Sequence, residues 1–127
     1  MNRPALILVV EDNAGSQMLA TVALEAEGFR VVGADSAEEA RRMLRVERPD
    51  LILMDIQLPG MDGVEFTREL KSEPKTARVP VVALSAHFVA GTTGEQTFDG
   101  FIPKPWTPEV LGREVRAHLS NAAETTA

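Results

Sequence analysis

The chain has 127 residues, 44% hydrophobic and 25% charged, the length and balance of one globular domain able to bury its own core. Cysteine is absent, which excludes disulfides, thiolate zinc sites and cysteine nucleophiles. The net charge of −6 argues against charge-driven nucleic-acid binding. No apolar stretch has the length of a secretion signal or a membrane span, so a cytoplasmic protein is expected.

Residues 5–10 are continuously apolar and end at Glu11 and Asp12. Leu19, Val22, Ala23 and Ala26 follow at helical spacing and predict a helix with that stripe inward, stopped by Gly28. Phe29 to Val32 reads as a second strand. Ser36 and Glu39 form a capping box ahead of Ala40, Met43 and Leu44. The apolar run 51–54 ends in Asp55. Asp62 and Glu65, with Met61 and Phe66 as a hydrophobic staple, open a third helix. The run 79–84 ends in Ser85.

Residues 86–99 carry Gly91, Thr92, Thr93, Gly94 and Thr97, all poor helix formers, so a short or irregular fourth helix is expected there. Phe101 and Ile102 form a last short strand reaching Lys104. Thr107 and Pro108 are an N-cap and first-turn proline for a helix with Leu111, Val115 and Leu119. Residues 120–127 read as a frayed tail, leaving a core of about 5–119 in a single domain spanning 1–127. Apolar runs alternating with amphipathic stretches predict a doubly wound α/β domain with a parallel sheet.

In such a sheet, ligands bind beyond the carboxyl ends of the strands. The first strand delivers Glu11 and Asp12 there, the third Asp55, the fourth Ser85 and the fifth Lys104. Three carboxylates meeting at one rim repel unless a cation is present, and hard oxygen donors with room for water suit Mg²⁺. Lys104 adds a positive charge and Ser85 a hydroxyl donor. Phosphoryl transfer needs mainly positioning and charge neutralisation, and a carboxylate can serve as its nucleophile. Asp55, at the end of the central strand, is the candidate acceptor.

These residues fall in motifs that resemble the receiver domains of two-component response regulators. The motifs are residues 10–13 (Val-Glu-Asp-Asn), 50–55 (Asp-Leu-Ile-Leu-Met-Asp), 58–63 (Leu-Pro-Gly-Met-Asp-Gly), 82–86 (Val-Ala-Leu-Ser-Ala) and the pair Lys104-Pro105. The resemblance implies a flavodoxin-like five-stranded sheet of order 2-1-3-4-5. It implies phosphorylation of Asp55, and Mg²⁺ held by Glu11, Asp12, Asp55 and the backbone carbonyl of Gln57. It also implies switch roles for Ser85, Lys104 and Phe101, a cis Lys104–Pro105 bond, and a site rim of Ala86, His87 and Pro105. The implied donor is a phosphohistidine on a sensor histidine kinase or a histidine phosphotransfer protein.

With no length left for an output domain, the sequence is most similar to the stand-alone receivers of bacterial phosphorelays. The expectation is a monomer or weak dimer that switches a downstream protein partner, with no nucleic acid or membrane involved and no catalysis beyond its own phosphorylation and dephosphorylation. Only 18 residues separate Ser85 from Lys104, a few fewer than the family pattern. The segment 86–99 is therefore expected to be a mobile loop that orders on phosphorylation or partner binding.

Other functional classes fit less well. A haloacid-dehalogenase-type phosphatase resembles an Asp-x-Asp pattern on the first strand, where this chain has Glu11-Asp12-Asn13. A flavin carrier of the same fold needs a phosphate loop at that point, and the two acids would repel a phosphate. A degenerate receiver is disfavoured because all five key positions are filled.

Overall fold

The computed structural model describes residues 3–58, 60–85 and 97–126, with side chains to residue 120. Its elements are β1 (Leu6–Val10), α1 (Ala14–Ala26), β2 (Arg30–Ala34), α2 (Ala37–Met43), β3 (Leu51–Asp55), α3 (Gly63–Ser72), β4 (Val81–Ser85), β5 (Gly100–Pro103) and α4 (Pro108–Thr126). The five strands are all parallel, in the order β2-β1-β3-β4-β5. This is the flavodoxin-like order, with β3 central.

The unbroken apolar runs are explained by helices on both faces. Along each strand successive side chains alternate sides. Leu8, Val10, Ile52, Met54, Val81 and Ala83 pack with Ala40 and Leu44 of α2 and Phe66 and Leu70 of α3. Ile7, Val9, Leu51, Leu53, Val82 and Leu84 pack on the other face with Ala20, Ala23 and Leu24 of α1 and Leu111 and Val115 of α4.

The capping signals act as read. Ser36 accepts from Glu39 N at 3.1 Å, while the Glu39 carboxylate turns back to accept from Asp35 N at 2.9 Å. Asp62 accepts from Glu65 N at 2.8 Å, and Thr107 accepts from Val110 N at 3.2 Å.

One expectation is corrected. In α1 the buried residues are Ala20, Ala23 and Leu24, whereas Leu19 and Val22 are 65% and 60% exposed and Ala26 is also exposed. The helix is apolar around much of its circumference, so spacing alone selected the wrong stripe. The small Ala20 and Ala23 face the sheet. The last helix, α4, runs to Thr126, and Ala122, Ala123 and Glu124 are favourable helix residues. His118 of α4 covers Gly100 so closely that a Cβ there would collide with the imidazole.

The expectation of a short or irregular fourth helix, and of its mobility, falls mainly on residues 86–96, outside the described residues. Just after them, Phe98 is buried and Asp99 accepts from Val81 N at 2.8 Å and pairs with Lys71 at 2.7 Å.

Candidate functional site

The parallel register carries the strand ends to one rim. Val10 pairs with Met54, Asp55 with Leu84, and Ser85 with Pro103. The next residue of β1 is therefore level with the last of β3, and Lys104 follows directly on β5. Glu11 extends the ladder by donating its N–H to Ala34 O at 2.9 Å, and Lys104 does so by donating to Ser85 O at 2.9 Å.

Glu11, Asp12 and Asp55 each offer a carboxylate oxygen within 4.8 Å of the others. Glu11 is 2% and Asp55 6% exposed, whereas Asp12 faces solvent. Glu11 accepts from Asn13 N at 3.3 Å, and Asp55 accepts from Gln57 N at 3.0 Å. The Lys104 ammonium lies between the two buried acids, 3.0 Å from Glu11 Oε1 and 3.3 Å from Asp55 Oδ2. The Lys104–Pro105 bond is cis, as the resemblance implied.

Burial and then the neighbouring Asp55 carboxyl push Glu11 above the usual carboxylate range, against the pull of Lys104 and the Asn13 amide. Burial pulls Lys104 down, but its bond to Glu11 and the charges of Asp55 and Glu11 outweigh that and hold it above its ordinary value. The ammonium thus stays charged and partly neutralises a cluster with an excess of acid. Every donor is a hard oxygen, and the Asp12 side is open to water. This set fits Mg²⁺, which keeps several of its waters.

The start of α3 packs closely against the end of β3. Gly63 donates its N–H to Ile56 O at 2.9 Å. A Cβ at Gly63 would collide with the Asp55 carbonyl oxygen and lie 2.9 Å from Ile56 Cα. Only glycine lets the helix start this close to the acceptor candidate.

Ser85 is buried at the rim. Phe101 is partly buried and stacks edge-on with Phe98, ring centroids 5.5 Å apart. Pro105 is exposed, and Trp106 is half-buried against the α1/α4 cluster. Ala86 and His87 lie outside the described residues.

Gln17 escaped the sequence reading. Its side-chain amide donates to Glu11 O at 3.0 Å and to Ala34 O at 3.2 Å, tying α1 to the ends of β1 and β2 beneath the acids. One signal lay beside the expected second strand: Gly33, which the structure places inside β2, where a glycine marks a close approach by a neighbour.

The chain matches the family model described as "Response regulator receiver domain" over residues 7–116. It is 37% identical over 123 residues to the phosphate regulon transcriptional regulatory protein PhoB of Rhizobium meliloti, covering 91% of this chain and 52% of that protein. It is 33% identical over 122 residues to the polar-differentiation response regulator DivK of Brucella anthropi, covering 94% of this chain and 99% of that protein. The chain thus spans about half the length of the PhoB relatives it matches.

Among solved structures it is similar to the receiver domain of a sensor histidine kinase from Pseudomonas aeruginosa PAO1, crystallised with a magnesium ion coordinated in the active-site cleft. The TM-score is 0.84 at 32% identity, covering 92% of this chain and 98% of that one.

Proposed function

Because the chain belongs to the response regulator receiver domain family, we propose that it is a phospho-acceptor switch in which Asp55 takes a phosphoryl group from a phosphohistidine of a sensor kinase or phosphotransfer protein. The observation that carries this reading is the meeting of the Glu11, Asp12 and Asp55 carboxylates within 4.8 Å, with Lys104 bridging the two buried ones.

An Asp55 carboxylate oxygen attacks phosphorus. The P–O bond forms as the P–N bond breaks, and the imidazole leaves with the bonding pair. Glu11, Asp12, Asp55 and the Gln57 carbonyl would hold Mg²⁺, which would supply the charge that balances the acids and the phosphoryl oxygens. The Gln57 amide fixes one Asp55 oxygen and leaves the other, now paired with Lys104, as the attacking atom. Lys104 then moves from Asp55 to a phosphoryl oxygen, and the Ser85 hydroxyl donates to another.

That rearrangement is relayed through Phe101 and biases a protein-interaction surface on β4, β5 and α4. Later attack by water restores Asp55, so the chain acts catalytically only on itself. No described helix is long and apolar enough to cross a membrane, which accords with a cytoplasmic phosphorelay component. The relatives include one matched along nearly its whole length and others matched along half. The likeness therefore supports the phosphoryl switch and favours no particular output.

Intact-mass measurement after incubation with phosphoramidate, a small P–N donor, tests the reading. The wild type should gain one phosphoryl group and Asp55→Asn none; equal gain in both would remove Asp55 from the role.

A further inference from the structure

We propose that Gln17 is a positioning residue for the Glu11–Asp12 acidic pair, setting the site's affinity and selectivity for Mg²⁺; this rests on the phospho-acceptor reading of that site. The two acids are consecutive, so the peptide joining them orients both. Its carbonyl is Glu11 O, the group held by Gln17 Nε2 at 3.0 Å. The same amide holds Ala34 O at 3.2 Å, and Ala34 O also accepts Glu11 N at 2.9 Å. Glu11 is thus fixed at both its N–H and its C=O. With the Gln17 bond removed, the C=O is free to turn toward water, and that rotation swings the exposed Asp12 away from the rim.

Gly33 makes the arrangement sterically possible. It lies within β2 opposite Val9, and positive φ is confined to Gly28 and Gly60 among the described glycines, so its backbone does not demand glycine. What it accommodates is the Gln17 amide: a Cβ at Gly33 would meet Oε1 and Cδ, the flexible end of that side chain, and push the amide aside. Gly33, Gln17 and the Glu11 carbonyl form one mechanical unit beneath the acids. Mg²⁺ requires near-ideal octahedral geometry at short distances, whereas Ca²⁺ tolerates a loose ligand set. A device that fixes ligand direction therefore matters far more for Mg²⁺ than for Ca²⁺. A residue that only stabilised the helix would affect both alike.

The test is calorimetric titration of the whole chain with Mg²⁺ and with Ca²⁺, alongside the metal-free melting temperature. Gln17→Met keeps the side chain's bulk and removes the donor. It should raise the Mg²⁺ Kd about tenfold, the scale of a lost hydrogen bond with its unsatisfied acceptor, and the Ca²⁺ Kd by less than about threefold. Gly33→Ala, which expels the Gln17 amide, should reproduce the effect. Gln17→Ala combined with Gly33→Ala relieves the collision and should bind Mg²⁺ no more weakly than Gln17→Met, the non-additivity of a shared unit.

An unchanged Mg²⁺ Kd in Gln17→Met overturns the inference. So does an equal loss for both cations in step with a fall in metal-free melting temperature. A wild type that takes up neither cation overturns the phospho-acceptor reading itself, and this inference with it. If Gly33→Ala does not fold, Gln17→Met alone decides.

Discussion

Replacing Lys104 with methionine should tighten Mg²⁺ binding while weakening the metal-free fold. The ammonium sits 3.0 Å from Glu11 Oε1 and 3.3 Å from Asp55 Oδ2, so it holds two of the three carboxylates a divalent ion would use. Charge-assisted hydrogen bonds contribute about 1.5–3 kcal/mol each. The Lys104 side chain is 27% exposed, and solvent screening places the pair at the low end. A cation that takes these acids competes with the ammonium for their charge. Removing Lys104 abolishes that competition, worth about 1.5 kcal/mol or roughly a tenfold lower Kd.

The metal-free protein changes in the opposite direction, because Glu11, 2% exposed, loses its partner cation. A loss of about 1.5 kcal/mol in a domain of this length lowers the melting temperature by roughly 6 °C. Calorimetric Mg²⁺ titration and scanning calorimetry without metal read the two effects. A Mg²⁺ Kd that is unchanged or higher in Lys104→Met would show that the lysine and the cation do not share the acids.

Other substitutions probe separate parts of the structure. Burial first, then Asp55, raises Glu11, so the folded chain keeps that proton to higher pH than the unfolded chain does. Its contribution to metal-free stability falls as pH rises from the ordinary carboxylate value through the raised one, then levels. Glu11→Gln should remove this slope from a series of melts across that range; a slope that persists would place its origin elsewhere. Thr67 Oγ1 is buried without a hydrogen-bond partner among the described residues. Thr67→Val, nearly the same shape, should be neutral or stabilising by up to about 1 kcal/mol in urea denaturation, and a clear loss would reveal a bond the hydroxyl makes. Gly63→Ala forces a Cβ against the Asp55 carbonyl and should cost about 1–3 kcal/mol while slowing phosphorylation, compared by melting and by labelling rate.

Much of this architecture is legible in the sequence because each strand is buried on both faces and ends abruptly in a polar residue. An apolar run closed by Glu11, Asp55 or Ser85 leaves little doubt where the sheet stops. Helix starts are legible where a side chain caps its own backbone, as Ser36, Asp62 and Thr107 do within three residues. Legibility fails where the decision is made by a distant partner. The buried face of α1 depends on how closely the helix approaches the sheet, which favours Ala20 and Ala23 over the larger Leu19 and Val22.

Gln17 is an ordinary helix-surface type, and its importance arises only when residues 11 and 34 end beside it. Its bonding partners are backbone carbonyls, which carry no residue-specific signature. The meeting of Glu11, Asp55 and Lys104 was inferable from topology. That Lys104 bridges the two buried acids was not, because it depends on side-chain reach across three strands.

The most direct test of the central claim is to treat the chain with acetyl phosphate in Mg²⁺ or in chelator and map the modified residue by borohydride trapping of the acyl phosphate. The account predicts a phosphoryl group on Asp55 that forms in Mg²⁺, does not form in chelator and is sharply reduced in Asp12→Ala. Equal labelling with and without the cation, or a label on any other residue, would contradict it.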